Sequence, residues 1–221
     1  MHVTLVLPVY NEQKNIEKVI KEVKKIVNRI IIIDNNSSDG TIKIIKKLNK
    51  INLQHCYNIG KSNSLKTGCD LAVKLKTDLI AFMDSDGQHK GSDLKKLINI
   101  IKKEKIDAVI GYRDSFKMPM MRGIGTLLIK TLTNFLFNSN LNDIQSGLRV
   151  FKSKIYQRIK WTSTGSAHYF ADAEISTILL KKKIKFKEVA IKTIFLNKYK
   201  GMNIFEGIHL LIRLVMWRFN N

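Results

Sequence analysis

Apolar runs of strand length alternate along this chain with stretches of helical period, and that alternation constrains the fold more than any other feature. Val3-Thr4-Leu5-Val6-Leu7-Pro8-Val9 is a strand-type run. It is followed by Ile16, Val19, Ile20, Val23, Ile26 and Val27 at helical spacing, with Lys and Glu between them. Arg29 to Ile33 is a second apolar strand ending in Asp34, and Ile42, Ile45 and Leu48 mark the inner face of the next helix. The pattern then predicts a strand over Gln54 to Tyr57, a helix over Ser62 to Leu75 and a buried strand over Asp78 to Met83. A helix over Ser92 to Lys103, capped by Ser92, and a strand over Asp107 to Gly111 follow. This order predicts an α/β domain with a mostly parallel sheet flanked by helices. In such sheets ligands bind beyond the carboxyl ends of the strands, and Asn11, Asp34 and Asp84 fall just there.

The second half is less regular. Gly123 to Phe137 is an apolar helical stretch with a single charge, Asp143 to Phe151 leads into a strand, Ala171 to Lys182 is helical and Ile184 to Ile194 reads as a strand. Asn203 to Phe219 is a last helix, apolar around much of its circumference but carrying His209, Arg213 and Arg218. With no internal repeat and no Pro/Gly linker in 221 residues, one domain spanning 1–221 is expected.

Lys and Arg total 39 against 18 Asp and Glu, a formal charge of +21, which reads either as anionic company (nucleic acid, an acidic membrane face or phosphorylated substrates) or as the solvated helix faces of a chain rich in Lys, Ile and Asn. A nucleic-acid-binding protein would explain the charge, but it gives no reason for carboxylates at strand ends, and no recognition motif is present. Cys56 and Cys69 lie in no metal-ligand spacing and read as free thiols of a reduced, cytosolic setting. No stretch reaches the roughly 20 apolar residues of a spanning helix, so a peripheral position on a membrane is the expectation.

Asp84-Ser85-Asp86-Gly87-Gln88 is the sharpest chemical feature. Two carboxylates one residue apart, on a turn permitted by Gly87 after a buried strand, can share a hard cation with a diphosphate. Together with Leu7-Pro8-Val9-Tyr10-Asn11-Glu12, Ile33 to Thr41, Asn58-Ile59-Gly60-Lys61, Met83 to His89 and Ser146-Gly147-Leu148-Arg149-Val150-Phe151, it resembles glycosyltransferase family 2, with the GT-A fold. Within that family the chain looks most like the polyprenyl-phosphate sugar transferases typified by dolichyl-phosphate mannosyltransferase.

The resemblance implies an inverting, metal-dependent transfer of one sugar from a UDP- or GDP-sugar to a polyprenyl phosphate at the cytosolic membrane face. Pro8, Tyr10 and Glu12 would line the nucleoside pocket and Asp34 would contact base or ribose. Asp84 and Asp86 would ligate Mg²⁺ or Mn²⁺, with Gln88 on the metal side, and Lys61 is a candidate phosphate contact. Ser62 stands where the family's turn carries a second Gly, and the Ser-Lys pair of the branch is missing near Lys198 and Lys200.

Arg113, Arg122 and Arg149 lie where the branch holds its acidic ligands, and the planar guanidinium suits phosphate. Asp172, in Phe170-Ala171-Asp172-Ala173-Glu174-Ile175, lies where family 2 enzymes often place a base. It reads either as that base, for a glycan or glycolipid hydroxyl acceptor, or as a helix-terminal charge. Gly123 to Phe137 resembles the branch's interface helix, and Asn203 to Phe219, with Trp217 at its boundary, can lie on a bilayer in the same way. His168 is read as a loop residue near the acceptor.

Overall fold

A computed structural model describes residues 1–48, 50–114, 120–159, 170–192, 194 and 204–219; inside its helices the side chains of 120–122 and 204 lie outside that description. Four parallel strands lead: β1 (Val3–Val9), β2 (Arg29–Asp34), β3 (Ile51–Gln54) and β4 (Leu79–Phe82). They are joined through helices α1 (Ile16–Val23), α2 (Thr41–Lys47) and α3 (Gly60–Lys74). Helix α4 (Gly91–Lys103) leads to β5 (Ala108–Tyr112), then come α5 (Met120–Phe137), β6 (Arg149–Lys152), α6 (Ser153–Tyr156), α7 (Phe170–Lys181), β7 (Phe186–Ala190) and α8 (Ile204–Phe219). The described strands form one sheet in the order β3-β2-β1-β4-β6-β5-β7.

Alternation along each strand divides the core. Leu5, Leu7, Ile30, Ile32 and Ala81 face α1 and α4, whereas Val6, Ile31, Ile33, Ile80 and Phe82 face α3 and α7. Because both faces are covered, β1 and β2 read as continuous apolar runs. Pro8 is tolerated in a central strand because β4 pairs only with Val3 to Val6. Beyond that ladder the Pro8 carbonyl accepts the Ser85 hydroxyl at 2.8 Å.

Three expectations need correction. The edge strand β3 lies at Ile51–Gln54, not Gln54 to Tyr57, because its ladder must match β2, from Ile31↔Ile51 to Asp34↔Gln54. Ser92 does not cap α4. The helix starts at Gly91, whose N–H reaches Glu22 Oε2 at 3.2 Å, and a Cβ there would press on the Glu22 carbonyl of α1. The strand expected over Ile184 to Ile194 is confined to Phe186–Ala190. The short helix α6 had no periodic signal of its own.

β6 runs antiparallel between β4 and β5, with Phe82↔Arg149 and Ile110↔Arg149 in register. Its first residue therefore lies at the edge where the parallel strands end. A third apolar cluster joins α5, α7 and α8 through Ile129, Ile144, Phe170, Ala173, Leu210 and Leu214. No helix among the described residues is long and apolar enough to cross a membrane, and both cysteines are free.

Candidate active site

The carboxyl edge of the sheet is built first from loops that hold one another. Asn11 takes a left-handed backbone (φ 54°) and donates its N–H to Ser37 Oγ at 2.9 Å, while its side-chain oxygen accepts the Ser38 N–H at 2.8 Å. Ser37 Oγ donates in turn to Asp34 Oδ1 at 2.5 Å, and Asp34 is fully buried. Glu12 is buried; its N–H donates to Thr41 Oγ1 at 2.9 Å and its carboxylate accepts the Asn15 amide at 2.7 Å. Asn35 clasps the next loop: it accepts the Ile59 N–H at 3.1 Å and donates to Asn58 Oδ1 at 2.5 Å. Asn58 Oδ1 also accepts the N–H of Gly60, whose φ of 85° lets α3 begin there and so places Lys61 in its first turn.

Lys61 is the hinge of the charged part of the site. Its ammonium donates to Asp84 Oδ1 at 2.5 Å and to Asp172 Oδ2 at 2.6 Å. Burial opposes its charge, but Asp172 and Asp84 together hold it above the ordinary lysine value. Burial pushes the Asp84 carboxyl up, yet Lys61 and the nearby His89 outweigh it and keep the group well below the usual carboxylate range. His89 Nε2 lies 3.4 Å from Asp84 Oδ2. Asp86 behaves oppositely: burial and then the charge of Asp84 push it up, although it accepts the Gln88 N–H at 2.9 Å.

On the far side, Arg149 is 1% exposed and donates to the carbonyls of Ser146 (2.8 Å) and Ile144 (3.0 Å). Its Nε stands 3.9 Å from Asp172 Oδ1, and its Nη1 has no hydrogen-bond partner. Arg113 forms a bidentate pair with the buried Asp143, at 2.7 and 3.2 Å. Burial raises Asp143, but Arg113 reverses this and holds it below its ordinary value.

A sequence model of Glycosyl transferase family 2 matches residues 4–160. The chain belongs to that family. A UDP-N-acetylglucosamine–dolichyl-phosphate N-acetylglucosaminyltransferase of Methanococcus voltae is 31% identical over 237 residues, covering 96% of this chain and 94% of the relative. A polyprenol monophosphomannose synthase of Mycolicibacterium smegmatis is 22% identical, covering 92% of this chain and 83% of that protein. The fold is GT-A. The structure of glucosyl-3-phosphoglycerate synthase from Mycobacterium tuberculosis, in complex with Mn²⁺, UDP and phosphoglyceric acid, superposes with a TM-score of 0.77 at 15% identity, covering 98% of this chain and 76% of that one.

For this family 2 glycosyltransferase the structure brings Asp84, Lys61, Asp172 and Arg149 into one contact chain, with Arg113 close enough to feel the charges of Asp84 and Asp172. Pro8, Glu12 and Asp34 sit in or directly after the neighbouring strands, and Tyr10 is exposed at the same edge. Glu174 is also buried, but it is Asp172 that meets Lys61. The Arg122 side chain and His168, Lys198 and Lys200 lie outside the described residues.

Among the described residues no group of three or more His, Cys, Asp or Glu side chains can hold a metal ion alone. Two carboxylates that repel each other, as Asp84 and Asp86 do, nevertheless fit a hard divalent cation that takes its other oxygens from a diphosphate and water.

Sequence reasoning gave no role to four residues: Ser85, His89, Asp143 and Gly147. Gly147 lies so close to Asp84 that a Cβ would fall on its carboxylate, which explains the glycine in Ser146-Gly147-Leu148-Arg149. Asp143 stands just ahead of that motif, and its only signal was an acid without an evident partner.

Proposed function

We propose that this protein transfers one sugar from a nucleotide diphosphate sugar to a polyprenyl phosphate on a membrane surface. Pro8, Tyr10, Glu12 and Asp34 receive the nucleoside. Asp84 and Asp86, with Gln88, hold Mg²⁺ or Mn²⁺, which when bound supplies charge neutralisation for the leaving diphosphate. Lys61 adds a fixed positive charge beside the diphosphate, and Arg113, Arg122 and Arg149 supply the positive field in which the acceptor sits. An acceptor phosphate oxygen attacks the anomeric carbon in line. The bond from that carbon to the diphosphate breaks, its electron pair leaves with the nucleoside diphosphate, and the configuration inverts.

The observation that carries this reading is the state of Asp172. This acid, which the sequence leaves as either a base for a hydroxyl acceptor or a helix-terminal charge, is bound through Oδ2 to an ammonium at 2.6 Å and faces a guanidinium at 3.9 Å. A sugar hydroxyl needs a base, whereas a phosphate is already ionised near neutral pH. Similarity to the Methanococcus dolichyl-phosphate transferase supports the same acceptor class. Residues 1–221 act as one catalytic unit, and α5 and α8 lie on the cytosolic membrane face. Ile124, Leu127, Leu128 and Phe135 of α5 are exposed, and an apolar face of that kind marks a partner surface.

The test is transfer of label from UDP- and GDP-sugars into the organic phase, with polyprenyl phosphate in detergent, with and without chelator. Chelator-sensitive lipid-linked label is expected from one donor. Asp172→Asn should keep turnover within about tenfold of wild type, because no base is lost. Near-complete loss of turnover, with lipid-linked label absent, would move the reading to a hydroxyl acceptor with Asp172 as base.

A further inference from the structure

Two of the described arginines nearest the site are already engaged. Arg113 closes its fork on Asp143, and Arg149 spends its Nε and one Nη on carbonyls while sealed from solvent. Arg213 differs. It sits on α8 with its guanidinium carbon 5.4 Å from the centroid of the Phe170 ring. Among the described residues no carboxylate pairs with it. Stacking on an aromatic face holds the guanidinium plane while leaving its edge N–H groups free to meet an anion.

Its position is informative on both sides. Phe170 opens α7 two residues before Asp172, the partner of Lys61. Phe170 also shares an apolar cluster with Leu210 and Leu214 of α8 and with Ile144, whose carbonyl holds Arg149. Leu210 and Leu214 are fully buried, while Phe205, Ile208, Ile212, Val215 and Met216 of the same helix are exposed. At 100° per residue Arg213 falls on the flank between these two faces. A half-buried cation thus stands beside an exposed apolar helix face, over the ring that opens the helix carrying Asp172.

We infer that Arg213, seated on Phe170, receives the phosphate monoester of the lipid acceptor while the hydrocarbon chain lies along the exposed face of α8. The inference rests on the polyprenyl-phosphate reading and names the residue that recognises that acceptor. A phosphate ester on a long apolar chain matches both features, the anion facing the free edge of the fork and the chain lying along the apolar face of α8.

The test compares wild type with Arg213→Ala, Arg213→Gln and Arg213→Lys in acceptor and donor kinetics. Loss of a charge-assisted contact should raise the KM for polyprenyl phosphate by roughly ten- to a hundredfold in the Ala and Gln variants. The donor KM should stay within about twofold, and Arg213→Lys should recover part of the loss. Arg213→Gln keeps a polar stem over Phe170, so it reads the contact even where Arg213→Ala unfolds α8.

A second arm needs no turnover: sedimentation with phosphatidylcholine vesicles, with and without polyprenyl phosphate. The extra retention given by polyprenyl phosphate should disappear in Arg213→Gln. An unchanged acceptor KM, equal rises in both KM values with a lowered Tm, or weaker retention on undoped vesicles would each overturn the assignment. If wild type forms no lipid-linked product, the transferase reading falls by itself, and the vesicle arm still reports on Arg213.

Discussion

The loops after β1 and β2 and the segment from β5 to α7 both deliver polar side chains to one sheet edge, yet they are fixed by different forces. On the first flank the loops are tied mainly by neutral side chains and backbone amides, Asn11 to Ser37 and Ser38, Glu12 N–H to Thr41, Asn35 to Asn58 and Ile59, and its carboxylates Asp34 and Glu12 accept from the neutral donors Ser37 and Asn15. On the second flank buried charges hold one another, Arg113 to Asp143 and Lys61 to Asp172 with Arg149 behind. Neutral bonds contribute modestly and are indifferent to pH. Buried ion pairs are costly to break and are tied to proton binding. In the proposed reaction the first flank would serve as a template for a fixed ligand such as a nucleoside, and the second as an electrostatic field for a phosphate.

The flanks meet at Asp84, which takes Lys61 on one oxygen and has the Gly147 backbone pressed against it. Asp84→Asn should thus have the largest effect of any single change at this edge. Transfer should fall roughly a thousandfold if, as proposed, Asp84 helps neutralise charge at the leaving diphosphate. Donor turnover with saturating Mn²⁺ checks this, and retention of most activity would leave Asp84 as a partner of Lys61 alone.

The next effect isolates the second flank. Asp143→Asn keeps the shape of the pair but strands Arg113, so unfolding free energy at neutral pH should drop by about 3 kcal/mol. The folded carboxyl of Asp143 lies below its ordinary value, so the pair stabilises above pH about 4 and that stability is lost as pH falls through the depressed value. Wild type and Asp143→Asn should therefore converge on acidification, as urea unfolding from about pH 7 to about pH 3 would show. A gap that persists in acid would mean that shape, not charge, holds Arg113.

The same contrast explains how far the sequence could be read. Strands β1, β2, β4 and β5 and helices α1 to α4 follow from local period, because each is buried by its immediate neighbours in a repeated βα pattern. The carboxylates Asp34 and Asp84 were legible for the same reason, since they end apolar strands. The second flank depends on long-range pairing. Nothing near Asp143 in sequence announces Arg113, and the antiparallel insertion of β6, which brings Arg149 to the edge, depends on pairing with both β4 and β5. The β3 register was missed because an exposed edge strand carries little apolar pattern; Ile51 and Leu53 are both exposed. The bond of Asp172 to Lys61 joins residues 111 positions apart, which local pattern cannot show.

The smallest effect tests the first flank through Asn11. Its φ of 54° is a conformation that an ordinary side chain adopts at a cost, and its amide oxygen holds the Ser38 N–H. Asn11→Ala loses both advantages and should destabilise the protein by roughly 1–2 kcal/mol. Asn11→Gly loses the hydrogen bond but regains the conformational freedom, so it should cost less, about 0.5–1 kcal/mol. Because no proton is bound or released at Asn11, the difference between these variants should be the same at neutral pH as in the acid range where the Asp143 gap closes. Urea unfolding at both pH values checks this. A loss that varies with pH would mean that the buried Asp34, reached through Ser37, is coupled to this loop, and the neutral flank would then share the proton linkage of the charged one.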